Sequence, residues 1–491
     1  MTEKLILVLD EGTTSTRAML FAPDGRPCGV AQEELTQFYP RSGWVEQDAA
    51  EIWEKTLTCA QTMVAYAGGA KAIAAIGITN QRETVVAWDK TTGQPLHRAI
   101  VWQDRRTADI CEALRSAGHE AEVQSKTGLL LDPYFSGTKM RWLIDNAPAV
   151  RSAADAGTLA LGTIESWLCY KLTGGAAHIS DASNASRTLL LALDGENWDA
   201  DLCEMFSVPR SALPRIVNNA GALAGTSADL FGAAIPITGM AGDQQAATIG
   251  QNCLSPGQTK ATYGTGAFVL ASTGTALPRS QHRLLGTVLC QIGSERLYAL
   301  EGSVFVAGSL MQYLRDQLGL IENAGESEAL ARSVEDSGGV VVVPALSGLG
   351  APHWQPNARA AITGLGFDTG KAHIVRAALE AMAHQTLDLA SAFAADGASW
   401  TGLRIDGGMV ANDWMAQDIA DLTGLDVIRP DFAETTALGA AMLASIGCDM
   451  YESLAAAAAA MIGTTHRFMP QMPANIRAAR IVRWQSALAK I

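Results

Sequence analysis

LILVLDEGTTSTRAMLF, residues Leu5–Phe21, is the stretch whose reading decides the fold. An apolar run from Leu5 to Leu9 ends on Asp10. Gly12, Thr13, Thr14 and Ser15 follow, then Thr16 and Arg17, and a second apolar run covers Ala18 to Phe21. Two short apolar runs around a Gly/Thr turn predict a β-hairpin. Its tip carries what a polyphosphate needs. Gly12 lets backbone come close, and successive N–H groups can form an anion nest. The hydroxyls of Thr13, Thr14 and Ser15 and the guanidinium of Arg17 add donors, and Asp10 can hold a metal through water. The same residues also suit an ordinary polar turn with Asp as turn former, and taken alone the stretch leaves both readings open.

Working outward, the design recurs. Thr259–Ser272, TKATYGTGAFVLAS, is again a strand, a Gly264-Thr265-Gly266 turn and a strand. Two hairpins of one design, each near the start of one half, predict a duplicated fold with a boundary near residue 250. The expected domains are therefore residues 1–250 and 251–491. No Pro- or Ser-rich linker marks the boundary, so the domains are expected to pack against each other. Between the hairpins, Ala49–Tyr66 has helical spacing and Ala72–Thr79 reads as a buried strand. Val85–Trp88 and Ala99–Trp102 read as further strands, and Ala212–Gly232 as the stretch with least periodicity. Asp243 is placed to cap a helix over Gln244–Gly250. In the second half, Ile374–Phe393 is amphipathic, and Leu403–Asp406 is a strand opening onto Gly407 and Gly408. Strands alternating with helices throughout give an α/β fold class.

With 491 residues the chain is too long for one core. It is 48% hydrophobic and 18% charged, as a well-buried globular protein is. A net charge of −14 argues against nucleic acid or an anionic membrane as partner, but not against a nucleotide in a local site. The eight cysteines show no C-x-x-C pair, which suits a reducing compartment and argues against zinc. The N-terminal apolar run is short and ends in acid, unlike a signal peptide, and no run is long enough to span a bilayer. These features lead to an expectation of a cytoplasmic chain. There is no G-x-x-x-x-G-K-[ST], no G-x-G-x-x-G after a strand, no H-E-x-x-H and no G-x-S-x-G.

Asn80-Gln81-Arg82-Glu83-Thr84 sets a charged pair between two apolar strands, where it must be satisfied by its neighbours or by a ligand. An adjacent Arg and Glu supply a pure donor and a pure acceptor, a set that can fix two hydroxyls of a polyol. A local ion pair is the competing reading.

These stretches together resemble the nucleotide-binding elements of the superfamily of actin, sugar kinases and heat-shock chaperones. The fold so implied is two related actin-like (ribonuclease H-like) domains with an ATP-binding cleft between them. More closely, the chain resembles the FGGY carbohydrate kinases, and among them the branch that phosphorylates glycerol. The matching segments run from end to end: DEGTTSTR (10–17), NQRET (80–84), VWQDRR (101–106), GMAGDQQ (239–245), YGTGAF (263–268), EGSVFVAG (301–308), VPALSGLGAPHW (343–354), IDGGMVAN (405–412) and TALGAA (436–441).

The resemblance implies roles residue by residue. Arg82, Glu83, Trp102, Tyr134, Asp243, Gln244 and Phe268 resemble the substrate-binding set, with the three aromatics as a wall for the carbon chain. For Phe268 a plain core position remains the alternative. Asp243 resembles the catalytic base, a role compatible with helix capping. Asp10 resembles the residue that holds Mg²⁺ through water. Thr13, Thr14, Ser15 and Arg17, with Gly264 and Thr265, resemble the phosphate clamps. Gly308, Gln312, Gly408 and Asn412 resemble the wall around adenine and ribose. ATP and glycerol are the implied substrates, sn-glycerol 3-phosphate and ADP the products, and a homo-oligomer of two or four chains the implied assembly. Closure of the domains would keep water out. Glu11 stands where many relatives have Gln and is expected to point away from phosphate. Residues 222–235 lack the arginine-bearing loop and the histidine through which some members are regulated, and residues 466–483 do not match the segment that docks a transport regulator in others. The runner-up readings are a kinase of a pentulose or longer polyol, and an actin-like ATPase without a metabolic substrate.

Overall fold

The computed structural model describes residues 4–355 and 357–491. The chain opens with an antiparallel hairpin of β1 (Leu5–Glu11) and β2 (Ser15–Phe21), extended by β3 (Pro27–Glu34). Helix α1 (Ala49–Tyr66) is capped by the Asp48 carboxylate, which accepts from Ala50 N. It leads into β4 (Ile73–Asn80), which joins β1 in parallel. Helix α2 (Ser136–Asn146) follows in a smaller helical region. Then β5 (Ala220–Gly225), β6 (Pro236–Gly242) and helix α3 (Asp243–Gly250) complete the first half.

The first sheet has the order β5-β6-β4-β1-β2-β3. Its central strands are covered on both faces, which is why they are continuously apolar. Leu7 and Leu9 pack with Ile52 of α1, while Ile6 and Val8 pack against Ala440 and Ala444 from the far end of the chain.

The second half opens with β7 (Gln258–Tyr263) and β8 (Ala267–Gly274), followed by β9 (Leu285–Ile292) and β10 (Glu295–Val304). Helix α4 (Gly308–Asp316), the long α5 (Lys371–Ala395), β11 (Gly402–Asp406), α6 (Asp413–Thr423), β12 (Val427–Pro430), α7 (Thr435–Gly447) and β13 (Thr465–Phe468) follow. The second sheet has the order β9-β10-β8-β7-β11-β12-β13. Each sheet is a hairpin with a third antiparallel strand on one side, two parallel strands on the other, and an antiparallel edge beyond them. The second adds β9 outside β10. The duplicated α/β frame expected from the two hairpins is present.

In sequence helix α7 sits between β12 and β13 of the second sheet, yet it lies on the first sheet, against α3. A Cβ on Gly439 would fall on the carbonyl of Ala246, and one on Gly250 on the carbonyl of Thr435, so the two helices meet backbone to backbone.

Residues 212–232, the stretch with least periodicity, carry two short strands, Arg215–Val217 paired with Ile179–Asp181 and β5 paired with β6. Two local expectations need correction. The strand expected over Ala99–Trp102 ends at Ile100, where its partner Glu46–Gln47 ends, leaving Trp102 in a turn. The cap of α3 is Gly242, not Asp243, which is the helix's first residue. Among the described residues no helix is long and apolar enough to cross a membrane.

Candidate active site

Strands β1, β4 and β6 are parallel, and their carboxyl ends lie in one row: Glu11 is level with Asn80, and Asn80 with Gly242. The residues that follow, Gly12–Ser15, Gln81–Thr84 and Asp243–Gln244, therefore emerge together at one edge of the sheet. This is where open α/β sheets bind ligands. In the second sheet Thr262 is level with Asp406, so Gly264 and Gly408 emerge together in the same way.

At the first edge Arg82 and Glu83 are both buried, and Glu83 adopts a left-handed φ of 61°. Their own ion-pair contact is long, 3.8 Å, so the local pair is not what satisfies them. Arg82 instead donates from Nη1 to Glu301 Oε2 at 2.6 Å, and Arg187 donates to Glu83 Oε1 at 2.6 Å and to Glu301 Oε1 at 2.8 Å. Glu301, at 0% exposure in β10 of the second sheet, thus bridges two guanidinium groups of the first half. Burial would raise the Glu301 carboxyl, but Arg187 and Arg82 overcome it and hold the group below its usual range. Burial raises Glu83, with Arg82 and Arg187 opposing.

Asp243 faces this cluster. Its Oδ1 lies 3.3 Å from Arg82 Nε and accepts from Gln244 N at 2.7 Å, and its side chain keeps 35% exposure. Its protein surroundings raise the carboxyl by desolvation, and Arg82 draws it part of the way back. Gln244 accepts from the Lys260 ammonium at 2.6 Å through Oε1, which turns the amide N–H₂ the other way.

The three aromatics converge. Trp102 meets Tyr134 edge-on at 5.7 Å and Phe268 at 6.5 Å. Phe268 is half-buried and belongs to the second sheet, so it faces the other half's rings rather than its own core. Tyr134 Oη lies 3.4 Å from Arg82 Nη2, and Trp102 donates from Nε1 to Thr13 Oγ1 at 2.9 Å. Substrate-type and phosphate-type residues are thus contiguous.

At the hairpin tip the backbone turns through Gly12, whose N–H bonds Ser15 O at 3.0 Å, and Thr14 is exposed. Arg17 is not an open fork: it donates to Asp10 and, at 2.7 Å, to Glu434. Glu11 turns away from the tip and meets Thr56 of α1 at 2.9 Å, and burial pushes its carboxyl up to about 8. No group of three or more His, Cys, Asp or Glu that could cage a metal occurs among the described residues. A lone carboxylate of this kind fits Mg²⁺, which takes one or two carboxylates and completes its shell from phosphates and water.

Gly264, Thr265, Gly308, Gln312, Gly408 and Asn412 all line one cleft of about 360 Å³. The close stacking of backbone there needs glycine: a Cβ on Gly308 would lie 2.6 Å from Gly264 O. Gly408 differs, since a Cβ there would meet no atom within 4 Å.

Sequence reading therefore named residues that do come together, and it missed Arg187, Glu301, Glu434 and Lys260. A glutamate inside the apolar strand YALEGSV is a legible anomaly, because a buried charge demands a partner. Arg187, just before the apolar run at 189–193, is a weaker one.

Comparison with known proteins gives two family models, the N-terminal domain of the FGGY family of carbohydrate kinases over residues 5–250 and the C-terminal domain over residues 259–448. The chain is 52% identical over 491 residues to a glycerol kinase of Rhodospirillum rubrum, covering 99% of this chain and 98% of the relative. It is 53% identical over 488 residues to a glycerol kinase of Alcanivorax borkumensis, with 99% and 98% covered. Among solved structures, a Plasmodium falciparum glycerol kinase crystallised with ADP superposes with a TM-score of 0.94 at 34% identity, over 99% of this chain and 98% of that one.

Proposed function

The chain belongs to the FGGY family of carbohydrate kinases, and we infer from its relatives and its geometry that it transfers the γ-phosphoryl group of ATP to glycerol, giving sn-glycerol 3-phosphate and ADP. The observation that carries this reading is the meeting of a part-exposed carboxylate, Asp243, with Arg82 and Glu83, beside the Trp102–Tyr134–Phe268 rings that reach Thr13 of the hairpin tip.

In this reading Asp243 accepts the proton of the attacking hydroxyl and holds its oxygen in line with the γ-phosphorus. Glu83 and Arg82 bind the remaining hydroxyls, each steadied from behind by Arg187 and Glu301. The rings pack on the carbon chain, and Gln244 presents its N–H₂ to the incoming oxygens. Thr13, Thr14 and Ser15 donate to phosphate oxygens from one side, Gly264 and Thr265 from the other. Gly308, Gln312, Gly408 and Asn412 enclose adenine and ribose. Arg17, tied to Asp10 and Glu434, orients Asp10 in addition to supplying charge near the phosphates. Asp10 would hold Mg²⁺ through water, and the ion would offset charge on the phosphate oxygens. We assign glycerol and phosphate binding to residues 1–250 and nucleotide binding to residues 251–491. A cytoplasmic homo-oligomer of two or four chains accompanies this reading.

The test couples ADP release to a readout with glycerol, xylulose, ribulose or no acceptor. Glycerol-dependent turnover over a low background is the expected result. Turnover with a pentulose alone would replace the substrate, and turnover indifferent to every polyol but tied to assembly would replace the reaction.

A further inference from the structure

Lys139 of α2 is completely buried, and no carboxylate lies within ion-pair distance of it among the described residues. Its ammonium is held by backbone carbonyls instead: Tyr134 O, Glu83 O at 3.3 Å and Phe135 O at 3.5 Å. Three carbonyls for three N–H donors satisfy a cation that burial would otherwise penalise heavily. The carbonyls belong to two separate segments. One is the strand end carrying Arg82 and Glu83, where Glu83 sits in the left-handed region that a non-glycine residue keeps only when its surroundings hold it there. The other is the turn carrying the Tyr134 ring. Ser136 Oγ, also on α2, donates to Glu83 O at 3.1 Å and reinforces the same tie.

We propose that Lys139 is a positioning residue for polyol binding, whose ammonium ties the backbone of Glu83 to that of Tyr134 and so fixes the spacing between the charged pair and the aromatic wall. The inference rests on the assignment of glycerol as substrate. Lys139 does not touch the substrate; it acts through Glu83 and Tyr134.

The tie has a pH dependence of definite sign. Burial draws the Lys139 ammonium down to about 8, against the carboxylates of Glu83, Asp104 and Asp132 and the thiol of Cys111, which are the titratable groups facing it. Below that value three donors meet three carbonyls. Above it the amine keeps two N–H groups and turns a lone pair on the third carbonyl, so the spacing loosens as pH rises.

The experiment measures kcat and KM for glycerol and for ATP between about pH 6.5 and about pH 9.5, in the unaltered protein and in Lys139→Met, which keeps the length of the side chain and removes the charge. The expected result is a glycerol KM that climbs about ten-fold across this range in the unaltered protein, with the ATP KM nearly flat. In Lys139→Met the glycerol KM should already be about ten-fold higher at the acid end and should lose its pH dependence. An unchanged glycerol KM in Lys139→Met, or an alkaline rise that persists in it, overturns the proposal. If the variant does not fold, the unaltered protein decides: a glycerol KM flat over the range overturns the proposal, and a selective rise in it sustains the proposal. Absence of any glycerol turnover in the unaltered protein would instead remove the functional reading beneath it.

Discussion

At the tip of the β1–β2 hairpin, Asp10 and Arg17 form an ion pair, Glu434 holds the other side of the guanidinium, and Glu11 is sunk against Thr56. At the tip of the β7–β8 hairpin, Gly264, Thr265 and Gly266 carry no charge, and the loop is stitched by its backbone to the start of α4, with Ala307 N and Ser309 N both bonding Thr265 O. The two hairpins hold equivalent places in equivalent sheets. The difference teaches that the frame is duplicated while the chemistry is divided: the first half concentrates charge at its hairpin, and the second opens a cleft lined by glycines, the place proposed for the base.

The division predicts which substitutions strike which substrate. Asp243→Asn should lower kcat by about 10²–10⁴-fold with ATP binding retained, measured by steady-state turnover and nucleotide titration. Near-normal turnover would take the base out of the charged half. Glu301 is the exception that sharpens the comparison, since it stands on a second-sheet strand yet serves arginines of the first half. Glu301→Ala leaves two buried guanidinium groups short of an acceptor and should cost about 3–5 kcal/mol in denaturant unfolding. A loss no larger than that of an exposed ion pair would show that those arginines find other partners.

A Cβ at Gly408 meets no atom within 4 Å, so Gly408→Leu sends its side chain into the cleft. It should raise the ATP KM about ten-fold and leave the glycerol KM alone, since the expected loss is about 1.4 kcal/mol of nucleotide binding. A matching change in both would break the division. The pH profile of kcat is the next test. In its proposed role as base Asp243 must be ionised, and its carboxyl is raised above the ordinary range by desolvation, with Arg82 opposing. Activity should therefore fall with acid at a pH above the usual aspartate value of about 3.9, and the limb should vanish in what activity Asp243→Asn retains.

The smallest effect is on stability. The Glu11 carboxyl is raised by burial to about 8, so its contribution is full below the unfolded value and is lost as pH rises towards about 8. Glu11→Gln should raise Tm by about 2 °C at alkaline pH and by almost nothing at about pH 4, followed by scanning calorimetry.

Both hairpins were legible because their signals are local: glycine and threonine punctuate two apolar runs within seventeen or fewer residues. The apolar strands were legible for the same reason, as was α1, whose apolar spacing matches its observed span. The ion-pair centre was only half legible. Arg82 and Glu83 are neighbours in sequence, and adjacency suggested that they answer each other. Their real partners stand 219 and 104 positions away. Nothing in a single sequence links Arg82 to Glu301, because that pairing exists only once the second sheet has docked. Asp243 does stand beside Arg82, but the cap of its helix is Gly242, one residue earlier, because the strand runs on to the very start of the helix.

The crossing of α3 and α7 at Gly250 and Gly439 has one more consequence. Where two helices touch along bare backbone, the carbonyl of each fills the space a side chain would take on the other. A single methyl group at position 439 would land on the carbonyl of Ala246 and force the helices apart, and with them the two halves of the chain that α3 and α7 come from.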